Sequence, residues 1–204
     1  KLYAEDTNLI IFQEDKVSRA LIDKDAIYSA EGNASITSSL QVIGQIVAYA
    51  GEYGISTNPE SFAVYGNRKY FTDKKRGVVL RLSGGAGGGQ GITEISSYGM
   101  HDFFRDELAD ATKVVGGWNS HTKDYVLSLQ TNSDYKTATF DEGVLGWTSF
   151  SSYKPSHIFS LSNVFYTFNQ DVDINSNLGR LYQHYLGPYA KFYGVTYGSD
   201  VTIV

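Results

Sequence analysis

The sequence contains no cysteine, so a disulfide framework, a thiolate metal site and a thiol nucleophile are all excluded. Proline is scarce, at 3 residues, and charged residues make up 19%, below the roughly 25% of an average globular domain. No stretch approaches the ~18 consecutive apolar residues that a membrane-spanning helix requires. The first residues, KLYAEDTNLIIFQ, lack the charged-then-apolar layout of a signal peptide. There is no basic run and the formal net charge is −5, which argues against nucleic acid as the main partner.

In place of charge the chain carries 16 Tyr, 11 Phe and 21 Gly in 204 residues. Aromatics at 14% are incompatible with an unfolded chain, and the length suffices for a sizeable core in one large or two small domains. Short β-branched and aromatic runs alternate with Gly, Asn, Asp and Lys turns, which predicts antiparallel hairpins. The clearest are 9–12 with 17–22, 68–72 with 78–83, and 124–130 with 135–140. Further strands are expected at 146–150, 157–161, 163–168 and 180–185.

Two segments read as helices. In 37–50, apolar residues fall at Leu40, Ile43, Val47 and Ala50, with Ser38 or Ser39 as cap and Gly51 as stop. In 99–108, Phe104 and Leu108 are spaced i, i+4. An aromatic strand element recurs at Phe71, Tyr125 and Tyr166, 54 and 41 residues apart, near the 40–50-residue period of propeller blades. The expected architecture is therefore mainly β: propeller-like blades of antiparallel hairpins with one or two short helices. The expected division is a blade-like hairpin over 1–36, a helical insertion over 37–53, a unit with a Gly-rich loop and short helix over 54–115, and two further units over 116–204. The chain begins at Lys1 and stops on the apolar alternation of 199–204, so it reads as part of a longer β-rich polypeptide.

Catalytic motifs are missing where chemistry would need them. The run Ser83–Gly91 is followed by no Lys, has strand-like flanks, and reads as a hairpin tip rather than a phosphate loop. The four histidines, His101, His121, His157 and His184, form no HExxH and no i, i+4 pair. No GxSxG elbow occurs. The carboxylate pairs Glu14-Asp15, Asp106-Glu107 and Asp141-Glu142 are adjacent in sequence, which suits turns better than a catalytic couple across a cleft. Asp171, Asp173, Asn175 and Asn177 alternate like calcium-loop ligands, but Ser176 and Tyr182 stand where an EF-hand needs Gly and Glu, so only a looser calcium turn is open to them. Seven tyrosines crowd the last quarter of the chain, and Tyr153, Tyr182, Tyr185, Tyr189, Tyr193 and Tyr197 are candidates for a contact surface, because Tyr offers large area at low entropic cost.

Thr139-Phe-Asp-Glu-Gly-Val-Leu-Gly-Trp147 resembles the Asp-box hairpin of sialidase-type propellers, with one extra residue before the Trp and no Thr there. That resemblance implies an Asp that braces a turn and a Trp packed within the blade, without implying sialidase activity. A second resemblance is broader. The stretches 54–73 (GISTNPESFAVYGNRKYFTD), 76–82, 91–106 (GITEISSYGMHDFFRD), 124–129 and 139–155 are similar to tail structural proteins of bacteriophages, of the tail stabilisation or muzzle type found in crAss-like podoviruses. The similarity spans roughly residues 8–185. It implies a virion tail component without catalytic activity or cofactor, which assembles with other tail proteins and with copies of itself in a ring. A different reading is a carbohydrate-binding or glycan-degrading propeller acting on host surface polysaccharide, with Tyr and Trp platforms that stack on sugar rings and an open cleft that holds Trp118 or Trp147 with two carboxylates at catalytic separation. A third is a calcium-stabilised adhesin module centred on 171–179.

Overall fold

The computed structural model describes residues 1–5, 8–28, 34–84, 91–169 and 179–198, with the backbone alone for 23–28 and 34–41. The chain is mainly β, built from consecutive antiparallel meanders. Strands β1 (Leu2–Glu5), β2 (Asn8–Phe12), β3 (Val17–Tyr28) and β4 (Ala34–Ala48) form the first sheet. The second comprises β5 (Ala63–Tyr65), β6 (Arg68–Asp73), β7 (Val78–Ser83) and β8 (Gly91–Glu94). Helix α1 (His101–Asp110) leads into the third sheet of β9 (Lys113–Asn119), β10 (Asp124–Gln130), β11 (Tyr135–Asp141) and β12 (Gly146–Ser151). A three-stranded sheet follows, made of β13 (His157–Leu161), β14 (Val164–Asn169) and β15 (Arg180–Gln183), and the small pair β16 (Lys191–Phe192) and β17 (Val195–Thr196) comes last.

Every sheet keeps its strands in chain order, as short turns between neighbouring antiparallel strands require. The three hairpins expected from sequence are β2–β3, β6–β7 and β10–β11. Phe71, Tyr125 and Tyr166 lie on β6, β10 and β14, the second strand of three successive sheets. The recurrence in sequence thus marks the second strand of each sheet, although on β14 it is Phe165, not Tyr166, that enters the core shared with the preceding sheet as Phe71 and Tyr125 do.

The sheets stack face to face in series, and the two-residue pleat explains how. Successive side chains on a strand leave by opposite faces. On β6, Tyr70 enters the core shared with the third sheet, whereas Phe71 enters the core shared with the first. On β10, Tyr125, Leu127 and Leu129 join the core on the second-sheet side, whereas Val126 joins the one on the fourth-sheet side. Strands inside the stack are therefore buried on both faces, and every residue of β10 is buried.

The approach is tightest along the first strands. Gly116 and Gly117 sit in the middle of β9, and a Cβ at Gly116 would overlap the Ser61 carbonyl oxygen on the second-sheet side. A Cβ at Gly117 would overlap Ile158 of β13 on the other. Farther out, the second and third sheets diverge and α1 fills the space, with Phe104 and Leu108 fully buried and Phe104 against Trp147 of β12 at 4.4 Å. The i, i+4 spacing read from sequence thus marks the buried face of α1.

The helix expected over 37–50 is instead strand β4, so the segment 37–53 completes the first sheet rather than interrupting it. Ile36, Thr37, Val42, Ile43, Ile46 and Val47 are β-branched and stiff at χ1, and β3 offers them a long partner. Between Ile22↔Ile43 and Lys24↔Ser38 the register slips, a bulge that breaks the two-residue alternation and leaves a spacing that imitates a helix. The expected boundary at 115/116 also falls inside β9; the units change at the α1–β9 junction.

Candidate functional site

Five of the six candidate tyrosines, Tyr153, Tyr182, Tyr185, Tyr189 and Tyr193, line one cavity of about 800 Å³. The cavity lies where the third and fourth sheets diverge, the counterpart of the space that α1 fills one layer earlier. Here the segment 182–194 forms the wall instead of a helix.

The floor follows from the pleat of the third sheet. Asp124, Val126, Ser128 and Gln130 share one face of β10, opposite Tyr125, Leu127 and Leu129. In register beside them stand Thr139 (opposite Val126 and Ser149) and Thr137 (opposite Ser128 and Ser151). One face of this sheet is thus apolar and the other is rich in hydroxyls. The inner part of the polar face is satisfied internally: Thr137 Oγ1 donates to the Tyr153 carbonyl at 2.8 Å, and Gln130 Nε2 to the Pro155 carbonyl at 2.6 Å. The outer part, Asp124, Thr139, Ser149 and Ser151, is the floor of the cavity.

The aromatic wall is held in place by polar contacts. Asn119 Nδ2 donates to the Tyr185 hydroxyl at 2.6 Å, and its Oδ1 accepts from the His121 amide at 3.1 Å. The His121 ring stacks on Tyr185 at 4.1 Å. Tyr193 donates to Thr167 Oγ1 at 2.7 Å, and Thr167 lies 2.7 Å from His184 Nε2. Thr167 thus links the Tyr193 hydroxyl to the His184 ring. Tyr185, Ala190 and Tyr193 all have positive φ, at 60°, 54° and 53°, a conformation uncommon in residues with a Cβ and one that marks sites where geometry is over-determined.

The electrostatics of the cavity are set by burial. Desolvation raises the Asp124 carboxyl above the usual carboxylate value, the Thr122 hydroxyl that it accepts pulls it back, and Asp141 pushes it up again. Desolvation lowers the His184 imidazole to about 4, so it is neutral at physiological pH. Burial also raises the Tyr153 phenol, which stays protonated.

Tyr153 is 5% exposed and belongs to the core between the third and fourth sheets, so it is not a surface contact residue as the sequence suggested. Its ring packs against His184, Phe192 and Tyr193, a placement fixed by fold rather than composition. Tyr185 and Tyr189, at 56% and 99% exposure, are open to contact. Tyr197 stands outside the cavity beside Phe192 at 6.0 Å. Asp171, Asp173, Asn175 and Asn177 lie outside the described residues, as do 85–90 of the Gly-rich run, whose flanks β7 and β8 pair as a hairpin. Among the described residues no cluster of three His, Asp or Glu side chains is arranged to hold a metal ion.

The two tryptophans do not form a cleft platform. Trp118 is 8% exposed and lies between Tyr65 at 4.1 Å and Tyr70 at 5.5 Å, within the core of the second and third sheets. Trp147 is half-buried against α1 and donates its indole N–H to the Ile95 carbonyl at 3.0 Å. Neither therefore stands in the open cleft that a tryptophan-based glycan site needs. The Asp-box reading fits instead: Asp141 Oδ1 accepts from the Gly143 amide at 2.5 Å and from Val144 at 3.4 Å, bracing the β11–β12 turn, and Trp147 packs inward.

The other carboxylate pairs are also structural. Glu142 accepts from the Tyr70 hydroxyl and from Arg81, both at 2.7 Å, and ties the third sheet to the second. Glu14 and Asp15 pair with Lys75, and Glu107 pairs with Lys136. Buried Lys69 of β6 pairs with Glu5 of β1.

No protein-family model matches the chain, and no curated protein matches it.

Proposed function

We propose that this chain is a non-enzymatic structural component of a bacteriophage tail, whose sheets act as propeller-like blades and which assembles with other tail proteins and with copies of itself in a ring. The observation that carries the reading is the serial stack: each inner sheet divides its side chains between two cores, so the fold is a set of layers completed by neighbours. The end layers carry apolar side chains that such neighbours would cover. On β4 these are Val42, Ile43 and Ile46, at 71%, 51% and 58% exposure. At the other end they are Leu161, Phe168 and Leu181, at 64%, 37% and 53%. Apolar exposure of this kind, rimmed by polar groups, is characteristic of protein–protein contact surfaces. The resemblance of 54–106 and 124–155 to phage tail proteins supplies the setting.

The test is the composition of purified virions. Antibody raised against this chain is expected to label the tail in electron micrographs, and cross-linking within intact particles is expected to join β4 residues to a neighbouring subunit. Purified particles that lack the chain, or a chain that cross-links to nothing in them, would refute the proposal.

A further inference from the structure

We propose that the cavity between the third sheet and the segment 182–194 is a binding site for a neutral saccharide. This goes beyond an assembly role and does not depend on the tryptophans. Its volume, about 800 Å³, lies in the range of roughly 300–1,000 Å³ typical of small-ligand sites.

The lining matches the two chemically distinct surfaces of a pyranose. A sugar ring presents hydroxyls around its edge and an apolar C–H face. The floor offers donor and acceptor groups at the spacing of a strand: Ser149 and Ser151 leave β12 on the same side, and Thr139 stands opposite Ser149. Asp124 adds a carboxylate that is only 8% exposed. Thr122 and the residue's own backbone amide use two of its acceptor positions, and a carboxylate has about four, which leaves capacity for a pair of vicinal hydroxyls. The wall offers an aromatic face, electron-rich and suited to polarised C–H groups, at Tyr185, with Tyr189 fully exposed at the open rim.

Charge selects against anions. The buried acid of the floor is Asp124, and among the described residues no arginine lines the cavity and Lys191 is the single ammonium in its wall. A phosphate or carboxylate ligand would meet Asp124 without a bidentate partner. An apolar ligand would leave the floor hydroxyls and Asp124 without water or partner, at a cost in binding.

The site is also built before any ligand arrives. Asn119 fixes Tyr185, His121 stacks behind it, and Thr167 fixes Tyr193. Ordering these rings is a cost already met in folding, which favours binding. The left-handed backbone at Tyr185, Ala190 and Tyr193 is concentrated in this wall.

The full chain would be tested against glucose, galactose, mannose, N-acetylglucosamine and lactose by saturation-transfer difference NMR at millimolar concentration, and on a glycan array. Transfer to the ring C–H protons of at least one of these, or a positive array signal, is expected. Asp124→Asn is expected to weaken that binding by roughly tenfold or more, the loss typical of a charged hydrogen-bond acceptor. Ser149→Trp, at an exposed position, would fill the cavity without touching the core and is expected to abolish binding. Asp106→Asn, at an exposed position of α1 away from the cavity, is expected to leave it unchanged. Near-UV circular dichroism of each variant checks the fold, and Ser149→Trp decides the matter if Asp124→Asn unfolds. The proposal is overturned if no saccharide binds in either format, if binding survives Ser149→Trp, or if the cavity takes up a peptide along the β12 edge instead.

Discussion

His184 should make the protein lose stability as the pH falls below 6.5. The imidazole is held near a pKa of about 4 by burial among Tyr153, Phe165 and Phe192, whereas its ordinary value is 6.5. The folded value is depressed, so the unfolded chain takes up a proton first. Stability from this residue is complete above 6.5 and is lost as the pH falls toward 4. The full shift corresponds to about 3 kcal/mol, of which about 2 kcal/mol is lost by pH 5. That is a sizeable part of the ~5–15 kcal/mol that hold a domain together. Urea titrations at pH 7.5, 6 and 5, followed by tryptophan fluorescence, would measure the loss, since Trp118 and Trp147 lie between sheets and report on the core. The same series on His184→Gln, which keeps an acceptor and cannot titrate, should show a pH dependence smaller by that amount. A midpoint that does not move between pH 7.5 and 5, or an identical slope in the variant, would refute the assignment.

Other outcomes follow from the packing. Gly117→Ala places a methyl group on Ile158 and should cost about 1–3 kcal/mol, the usual range for overpacking. Limited proteolysis should show cleavage after residue 151 becoming easier while the second and third sheets stay protected; uniform loss of protection would contradict the layered arrangement. Asp73 is fully buried and accepts from the Gly54 amide at 3.0 Å, Ser56 Oγ at 2.8 Å and Arg76 Nη1 at 3.0 Å. Asp73→Ala should destabilise by about 3 kcal/mol because four donors, the Arg76 amide at 3.3 Å being the fourth, lose a charged acceptor; a melting temperature within a degree of the parent would show that water replaces it.

The hairpins were legible because each pairs a β-branched, aromatic run with a turn of Asp, Asn, Lys or Gly, and because Phe71, Tyr125 and Tyr166 recur on the second strand of successive sheets. Helix α1 was legible from Phe104 and Leu108. β4 was not, since its bulge opposite Ile22 and Lys24 removes the alternation by which a strand is recognised. The cavity was half legible. The tyrosines pointed to the right region, but Tyr153 is core, and the floor draws on β10, β11 and β12, which only the fold brings together. A signal for that floor did exist. Along β10, Asp124, Ser128 and Gln130 alternate with Tyr125, Leu127 and Leu129, the pattern of a strand with one polar face. What no local pattern contains is that this polar face meets a gap between layers rather than bulk water.

Gly116 and Gly117 give the stack its direction. The two gaps beside β9 are narrow at these glycines and wider where α1 or the tyrosine wall intervenes, and layers spaced in that way, if repeated in series, would follow a curve. Its radius is set by the difference in filling between the two ends: two hydrogens on β9 against Phe104 and Trp147 farther out. Whether such a path closes on itself, and after how many layers, is then a matter of angle per layer, so that a pair of glycines amounts to a setting of curvature.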